Sequence, residues 1–354
     1  MKTIVLKLDP EDKDLSSHPG IIKGGKILRE GGLVAFPTET VYGLGANGLD
    51  PKAVKKIYQA KGRPSDNPLI LHIADLSDLE ELVTVVPKKA KVLIEKFWPG
   101  PLTLVLKKKN HVPDEVTGGL NTVAVRMPSH PIARELIAAA NVPVAAPSAN
   151  LSGRPSPTLA EHVIHDLNGR VEMIIDGGSC HTGIESTVLD FSEDKPILLR
   201  PGSISLEAIE DLIGPLKLDA GIATKEVQHK KPKSPGMKYR HYSPEAELLI
   251  VEGESERVKE KLIELIKNSQ KKLGLLATRE LVESLDTDLP PITVKVLGSR
   301  EKLEEIGINL FKLLREFDET EVDLILVEGL PLHGLGLAVM NRLRKAAGYQ
   351  IIRV

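Results

Sequence analysis

The sequence predicts an α/β protein in two parts, a larger mixed-sheet domain and then a small parallel, doubly wound one. Three observations lead there. Helical and strand-like patterns alternate along most of the 354 residues, which is the mark of the α/β class. After residue 217 the pattern lapses into "LDAGIATKEVQHKKPKSPGMKYRHYSP", rich in Lys, Pro and Gly and without amphipathic period, as in a linker. Beyond it, apolar strands and amphipathic helices alternate tightly enough for parallel crossovers. The expected divisions are 1–217, a linker at 218–244, and 245–354.

The elements follow in order. "HPGIIKGGKILREGG" reads as a short helix stopped by Gly31 and Gly32, and "LVAFPT" as a strand. "DPKAVKKIYQAKG" is a helix that Asp50 caps, Pro51 opens and Gly62 ends. "PLILHIA" is a buried strand, "DLEELVTVVPKKAKVLIEKFWPG" helical segments, and "PLTLVLKKK" a strand. "TVAVRMP" closes a strand on Pro128, "HPIARELIAAA" is a helix, and "VPVAAPSAN" a strand running into a turn. The helix "TLAEHVIHDLNG" and the strands "VEMIIDGG", "STVLDF" and "PILLRPG" complete a mixed sheet. In the second part, "AELLIVEG", "KLGLLAT", "ITVKVLG" and "VDLILVEGL" are strands. "ESERVKEKLIELIKNS", "SREKLEEIGINLFKLLREFD" and "GLAVMNRLRKAAG" are helices.

Composition excludes several classes of function. Net charge is −2 and aromatics are 3%. No global basic field or stacking platform therefore advertises nucleic acid. The single cysteine, Cys180, rules out a disulfide framework or a multi-cysteine zinc site and fits a reducing cytoplasm. The charged start "MKTIVLKLDPEDKD" has no signal-length apolar run, and no stretch is long enough to span a membrane.

Some patterns are decoys. "GIIKGGK" begins like a phosphate-binding P-loop, but Ile27 stands where Ser or Thr should hold magnesium. It reads as coincidence on a helix surface. "GLGANG" matches a dinucleotide fingerprint, but no acid stands where a ribose would need one; residue 63 is Arg63. Cys180 and His181 lack a third orienting group and read as an incidental surface pair. Asn341, Arg342 and Arg344 read as helix surface or a domain contact.

Chemistry-bearing residues gather at strand ends. "FPTETVYGLG" ends a strand in Pro37, Thr38, Glu39 and Thr40 before two glycines. This is a shaped turn of the kind that holds small molecules, or a strand–loop–helix connection with a Thr cap. Lys61 and Arg63 stand one residue apart in a turn stiffened by Pro64 and Pro68, with Asn67 and His72 nearby. Period two puts Thr122, Ala124 and Arg126 on one strand face, where an inward Arg needs an anion. Ser148, Asn150, Ser152 and Ser156 follow another strand. Near Ser186 and Thr187, "DGG" offers glycines that would let backbone N–H groups approach phosphate. Arg200 ends a further strand. No nucleophile–base pair or metal cage stands out, so positioning and charge neutralisation are the expected chemistry.

The motifs "AFPTETVYGLG", "KGRPSDNPLILHI", "WPGPLTLVL", "TVAVRMPSHP", "AAPSAN", "GIESTVLD" and "LLRPG", in this order, resemble the YrdC-like threonylcarbamoyl-AMP synthases. With "SPGMKYRHYSP" and the second α/β region, the chain looks like the two-domain form. The resemblance implies a YrdC-like mixed, twisted sheet with helices around a concave site, then a small Rossmann-like domain. It implies the reaction of L-threonine, bicarbonate and ATP to threonylcarbamoyl-AMP and pyrophosphate. A separate transferase would then pass the group to the adenosine beside a tRNA anticodon. Thr40, His72, Arg126, the Ala146 backbone and Ser186 would form the threonine pocket. Arg63, Asn67, Thr122, Ser148, Asn150, Ser156, Arg200 and Tyr239 would hold ATP. Lys61 and Arg63 would neutralise its phosphates. Magnesium would come with ATP rather than on a protein cage. The linker, carrying Tyr239, would be the lid. A competing class is a tRNA- or double-stranded-RNA-binding module without adenylate synthesis. A carbamoyl-transferring maturation factor would need cysteine clusters that the chain lacks.

Overall fold

The computed structural model describes residues 1–222, 232–233, 241–285 and 288–354. The chain divides into two compact units, Met1–Ser152 with Ser156–Tyr239, and Gly153–Pro155 with Arg240–Val354.

The first unit is built on strands β1 (Ile4–Lys7), β2 (Val34–Phe36), β3 (Gly43–Asn47), β4 (Ile70–His72), β5 (Leu102–Lys107) and β6 (Thr122–Arg126). They are joined by β7 (Val144–Ala145), β8 (Met173–Asp176), β9 (Thr187–Asp190), β10 (Ile197–Arg200) and β11 (Lys217–Leu218). Their order is β1-β8-β2-β3-β7-β4-β6-β5-β9-β10-β11. Pairing is mixed: β4 and β6 run parallel, whereas β4 and β7, and β5 and β6, run antiparallel. All five residues of β6 are buried, so both faces of the sheet's centre are covered.

On one side, Ile21, Leu28, Val34, Phe36, Leu136, Ile137, Met173 and Ile175 form a continuous core. The helices Pro19–Arg29 and Pro131–Ala140 supply much of it. A Cβ on Gly25 would lie 2.6 Å from the Ala139 backbone. The glycines of "GIIKGGK" are therefore not a surface coincidence; they let two helices approach closely. The helix Pro51–Lys61 is bounded as its sequence indicates. Asp50 accepts from the Lys52 N–H, and Gly62 ends the helix at φ 62°.

The pattern of apolar residues does not reveal β1, β3, β11 or the helices Asp114–Thr117 and Leu206–Ile213. The strand β3 is the most instructive of these. "FPTETVYGLG" is neither a strand–loop–helix connection nor a dinucleotide turn. It joins two antiparallel strands, with Val34 opposite Gly45 and Phe36 opposite Gly43. A Cβ on Gly45 would meet Phe36 and Val144 at 2.8 Å, so glycine here serves close packing.

The second unit is a parallel sheet of β12 (Glu247–Glu252), β13 (Leu273–Ala277), β14 (Thr293–Val296), β15 (Leu324–Glu328) and β16 (Ile351–Arg353). Its order is β14-β13-β15-β12-β16. Asn341, Arg342 and Arg344 are not helix surface: all three are buried. Arg344 forks onto Glu252 at 2.7 and 3.0 Å, and the Arg342 guanidinium lies 5.9 Å from the centre of the Tyr242 ring. A sequence window cannot distinguish such paired arginines from solvated ones. Among the described residues no helix is long and apolar enough to cross a membrane.

Candidate functional site

The loop between β2 and β3 is held from within. The Thr38 hydroxyl accepts from the N–H groups of Thr40 and Val41 at 3.2 and 3.3 Å, and donates to the Val41 carbonyl at 2.7 Å. The hydroxyls of Thr38 and Thr40 lie 2.8 Å apart. A Ser/Thr turn of this kind exchanges helix or strand bonds for side-chain ones and sets the loop's shape. Tyr42 anchors the far end, donating to the Gly178 carbonyl at 2.6 Å and accepting from the Gly177 N–H at 3.2 Å. Burial pushes the Tyr42 phenol well up, which keeps it a donor.

The neighbouring strands bring up the charged groups. In the parallel β4–β6 pair, His72 stands opposite Arg126. The Arg126 guanidinium donates from Nη1 to the Thr40 hydroxyl at 2.9 Å and from Nε to the Gly100 carbonyl at 3.3 Å. Its Nη2 lies 2.7 Å from Glu39 Oε1, off the axis of a hydrogen bond. The carboxylate of Glu39 is thus one anion that an inward arginine needs. Burial, and then the nearby Arg126, lower the His72 pKa to about 3, so the imidazole is neutral near neutral pH. Its ring meets Phe36 edge-on at 6.5 Å. The Ala146 N–H donates to the Ile70 carbonyl at 2.9 Å, fixing the chain just beyond β7.

A second group surrounds the turn after β7. The Lys61 ammonium, buried at the end of its helix, donates to the carbonyls of Ser148, at 2.6 Å, and of Asn150. The Ser148 hydroxyl donates to Asn150 Oδ1 at 2.5 Å. Lys61, Ser148 and Asn150 thus form one knot. Arg63 Nη2 bonds the carbonyls of Asn67 and Pro68 at 3.3 and 3.2 Å, closing the turn on itself. Ser156 donates to Glu185 at 2.6 Å.

A third group lies at β9 and β10. Arg200 donates to the carbonyl and hydroxyl of Ser186, both at 3.1 Å. The Ser186 hydroxyl is 2.7 Å from that of Thr103. A register shift between Leu198 and Arg200 sets Arg200 opposite Val188. Simple alternation would aim Arg200 to the other face; the bulge turns it toward Ser186. Thr122 is buried at the start of β6, opposite Lys107. Tyr239 lies outside the described residues, as does most of the expected lid.

Two expectations need correction. Cys180 is buried, not a surface residue, and burial pushes its thiol well up, away from nucleophile chemistry. The "DGG" turn does not present its N–H groups to a ligand. Gly177 donates to Tyr42 and Gly178 to Asp176 at 2.9 Å, so the turn locks the loop instead.

The residues that sequence reasoning missed are Glu39, Thr103, His130 and Glu185. Several buried polar atoms here find no aligned hydrogen-bond partner: both oxygens of Glu39, both amide atoms of Asn67, Arg126 Nη2 and His130 Nδ1. Unspent capacity is rare inside proteins, and ordered water, an ion or a ligand fills it. Burial lowers the His130 pKa to about 4, partly opposed by Glu39.

Known proteins match this arrangement. The family profile described as "Telomere recombination" (Sua5_yciO_yrdC) matches residues 26–202. The profile described as "Threonylcarbamoyl-AMP synthase, C-terminal domain" matches residues 204–348. A threonylcarbamoyl-AMP synthase of Bacillus subtilis is 52% identical over 354 residues, the whole of both chains. This chain belongs to the threonylcarbamoyl-AMP synthase family. A member from Pyrococcus abyssi is 55% identical over 93% of this chain and 94% of its own. The crystal structure of P. abyssi Sua5 complexed with L-threonine superposes with a TM-score of 0.91. It is 52% identical and covers 99% of this chain and 100% of that one. The α/β class, the large mixed sheet and the parallel second sheet are those of the family.

Proposed function

We propose that this chain makes L-threonylcarbamoyl-AMP and pyrophosphate from L-threonine, bicarbonate or carbon dioxide, and ATP. The observation that carries the reading is the buried Arg126, set beside Thr40 and His72 on adjoining elements and sharing the family's fold. Arg126 receives the substrate carboxylate in a forked geometry. Neutral His72, Ser186 and the Ala146 backbone complete the pocket. Arg63, Asn67, Thr122, Ser148, Asn150, Ser156 and Arg200 serve ATP. Lys61 serves it through the Ser148–Asn150 turn that its ammonium holds.

The threonine amine adds to carbon dioxide to give a carbamate. A carbamate oxygen attacks the α-phosphate and pyrophosphate leaves. Bound groups held in line and neutralised charge supply the acceleration, with no covalent enzyme intermediate. Magnesium accompanies the triphosphate. The product then serves a separate transferase that modifies tRNA, and the cytoplasm is the compartment this reading implies.

The test is pyrophosphate release. It should require both threonine and bicarbonate, and a labelled adenylate should appear when labelled bicarbonate is supplied. Equal release with either substrate omitted would leave only an ATPase.

A further inference from the structure

The loop "PTET" contributes more than Thr40. Its Glu39 side chain is nine-tenths buried, and both carboxylate oxygens lack an aligned hydrogen bond. The Glu39 backbone is fixed, since its carbonyl accepts from the Thr182 N–H at 2.8 Å. Its carboxylate meets the Arg126 guanidinium at 2.7 Å without being bonded along the donor axis. A buried carboxylate held in this way keeps acceptor capacity that a structural ion pair would have spent.

The substrate supplies what is missing. An α-amino acid carries its ammonium one carbon away from its carboxylate. A carboxylate received by Arg126 therefore brings the ammonium close to whatever else touches that guanidinium. Glu39 is that group on one side and the Thr40 hydroxyl on the other. The Gly100 carbonyl, on Nε, is a third such group; all three can accept from an ammonium, but of the three Glu39 carries the opposite charge, so the electrostatics select it. His72, opposite Arg126 in the strand register, is a neutral ring.

We propose that Glu39 receives the α-ammonium of the amino-acid substrate and takes one of its protons, making the amine a nucleophile. The inference rests on the threonine reading above. An ammonium has no lone pair and cannot attack carbon dioxide. Transfer of one proton to the Glu39 carboxylate gives a neutral amine and a carboxylic acid. The nitrogen lone pair then forms the N–C bond while one C=O π pair moves onto oxygen. The nitrogen's second proton passes to water, leaving the carbamate anion, and Glu39 later returns its proton to solvent.

The experiment uses two ligands and two variants of the full chain. The ligands are L-threonine and the 2,3-dihydroxybutanoate of matching configuration, in which a hydroxyl replaces the amine. Calorimetry on the wild-type protein should favour threonine by roughly 30-fold or more, the worth of a charged hydrogen bond. Glu39→Gln keeps the volume and should cut that preference to roughly 3-fold or less, with weaker threonine binding and little change for the analogue. At saturating threonine its adenylate yield should fall roughly 100-fold, within the range for a lost general base. Glu39→Asp keeps the charge but shortens the reach; it should retain more of the preference than Gln while losing turnover. It also stands in if Glu39→Gln fails to fold.

An unchanged preference ratio in folded Glu39→Gln, or undiminished turnover in folded Glu39→Asp, overturns the proposal. So does an equal loss for both ligands, because Glu39 would then act only by orienting Arg126. Wild-type protein that binds neither ligand overturns the threonine reading itself, and that result differs from an unchanged ratio.

Discussion

The two units treat buried charge in opposite ways. In the second, Glu328 is fully engaged: one oxygen accepts from the Thr278 N–H and hydroxyl at 2.7 and 2.8 Å, the other from Arg300 at 2.8 and 2.5 Å. Arg344 and Glu252 form a similar closed fork. In the first, Glu39 and Arg126 lie as close, but neither Arg126 Nη2 nor the Glu39 oxygens are aligned with a partner. Buried polar groups bonded to each other specify a fold. Groups left with capacity are arranged for a ligand. The contrast sets the Glu39–Arg126 pair apart from the closed ion pairs of the second unit.

Arg126→Ala should break this comparison hardest. Leaving Glu39 buried without its cation should cost about 3–5 kcal/mol of stability, read from denaturant unfolding. Threonine binding to whatever remains folded should weaken by about 1.5–3 kcal/mol. Arg126→Lys should recover part of the stability but not the affinity, because the fork is lost. Unchanged threonine affinity by calorimetry would remove Arg126 from the pocket.

Glu328→Gln provides the counterpart. It should lower stability by about 1–3 kcal/mol through its bonds to Thr278 and Arg300, yet leave threonine affinity where it was. A variant that loses affinity as steeply as stability would show that spent charge is not a mark of scaffold.

His72 gives the most specific effect, because it appears only as pH falls. Its pKa is about 3 in the fold, below the ordinary value of about 6.5. A depressed value means that the stability held by the neutral ring is complete above about pH 6.5 and drains as pH falls toward about 3. The slope reaches about 1.4 kcal/mol per pH unit. His72→Gln should flatten the acid side of the urea-midpoint profile between about pH 6.5 and 4.5, leaving the slope that His130 and the carboxylates contribute. An identical profile in the variant would mean that His72 is not held neutral by its surroundings.

Much of the fold was legible because local rules and tertiary packing agree. Asp50, Pro51 and Gly62 bound their helix as their chemistry requires. Apolar runs such as "PLILHIA" and "TVAVRMP" became central strands because nothing else could cover them. The strand β3 was hidden because glycines that serve packing look like glycines that serve a turn or a phosphate. The edge strand β1 was hidden because two of its partners in pattern, Ile4 and Val5, are exposed. The site residues on strands were visible as polar interruptions of apolar runs, Arg126 above all. Glu39 stood in plain view within "PTET", but a lone acid in a loop carries no signal of what it faces.

By itself, then, the sequence determined the class, the order of most elements and many of the residues with chemistry to offer. Each of these rests on local periodicity, on caps, or on motifs that recur in a family. Only the tertiary structure decided which of those residues meet. The β4–β6 register sets His72 beside Arg126, and a bulge in β10 turns Arg200 toward Ser186. The β2–β3 connection brings Glu39 and Thr40 to Arg126. These contacts join residues far apart along the chain. Their geometry depends on strand register and close backbone packing, which no window of neighbouring residues contains.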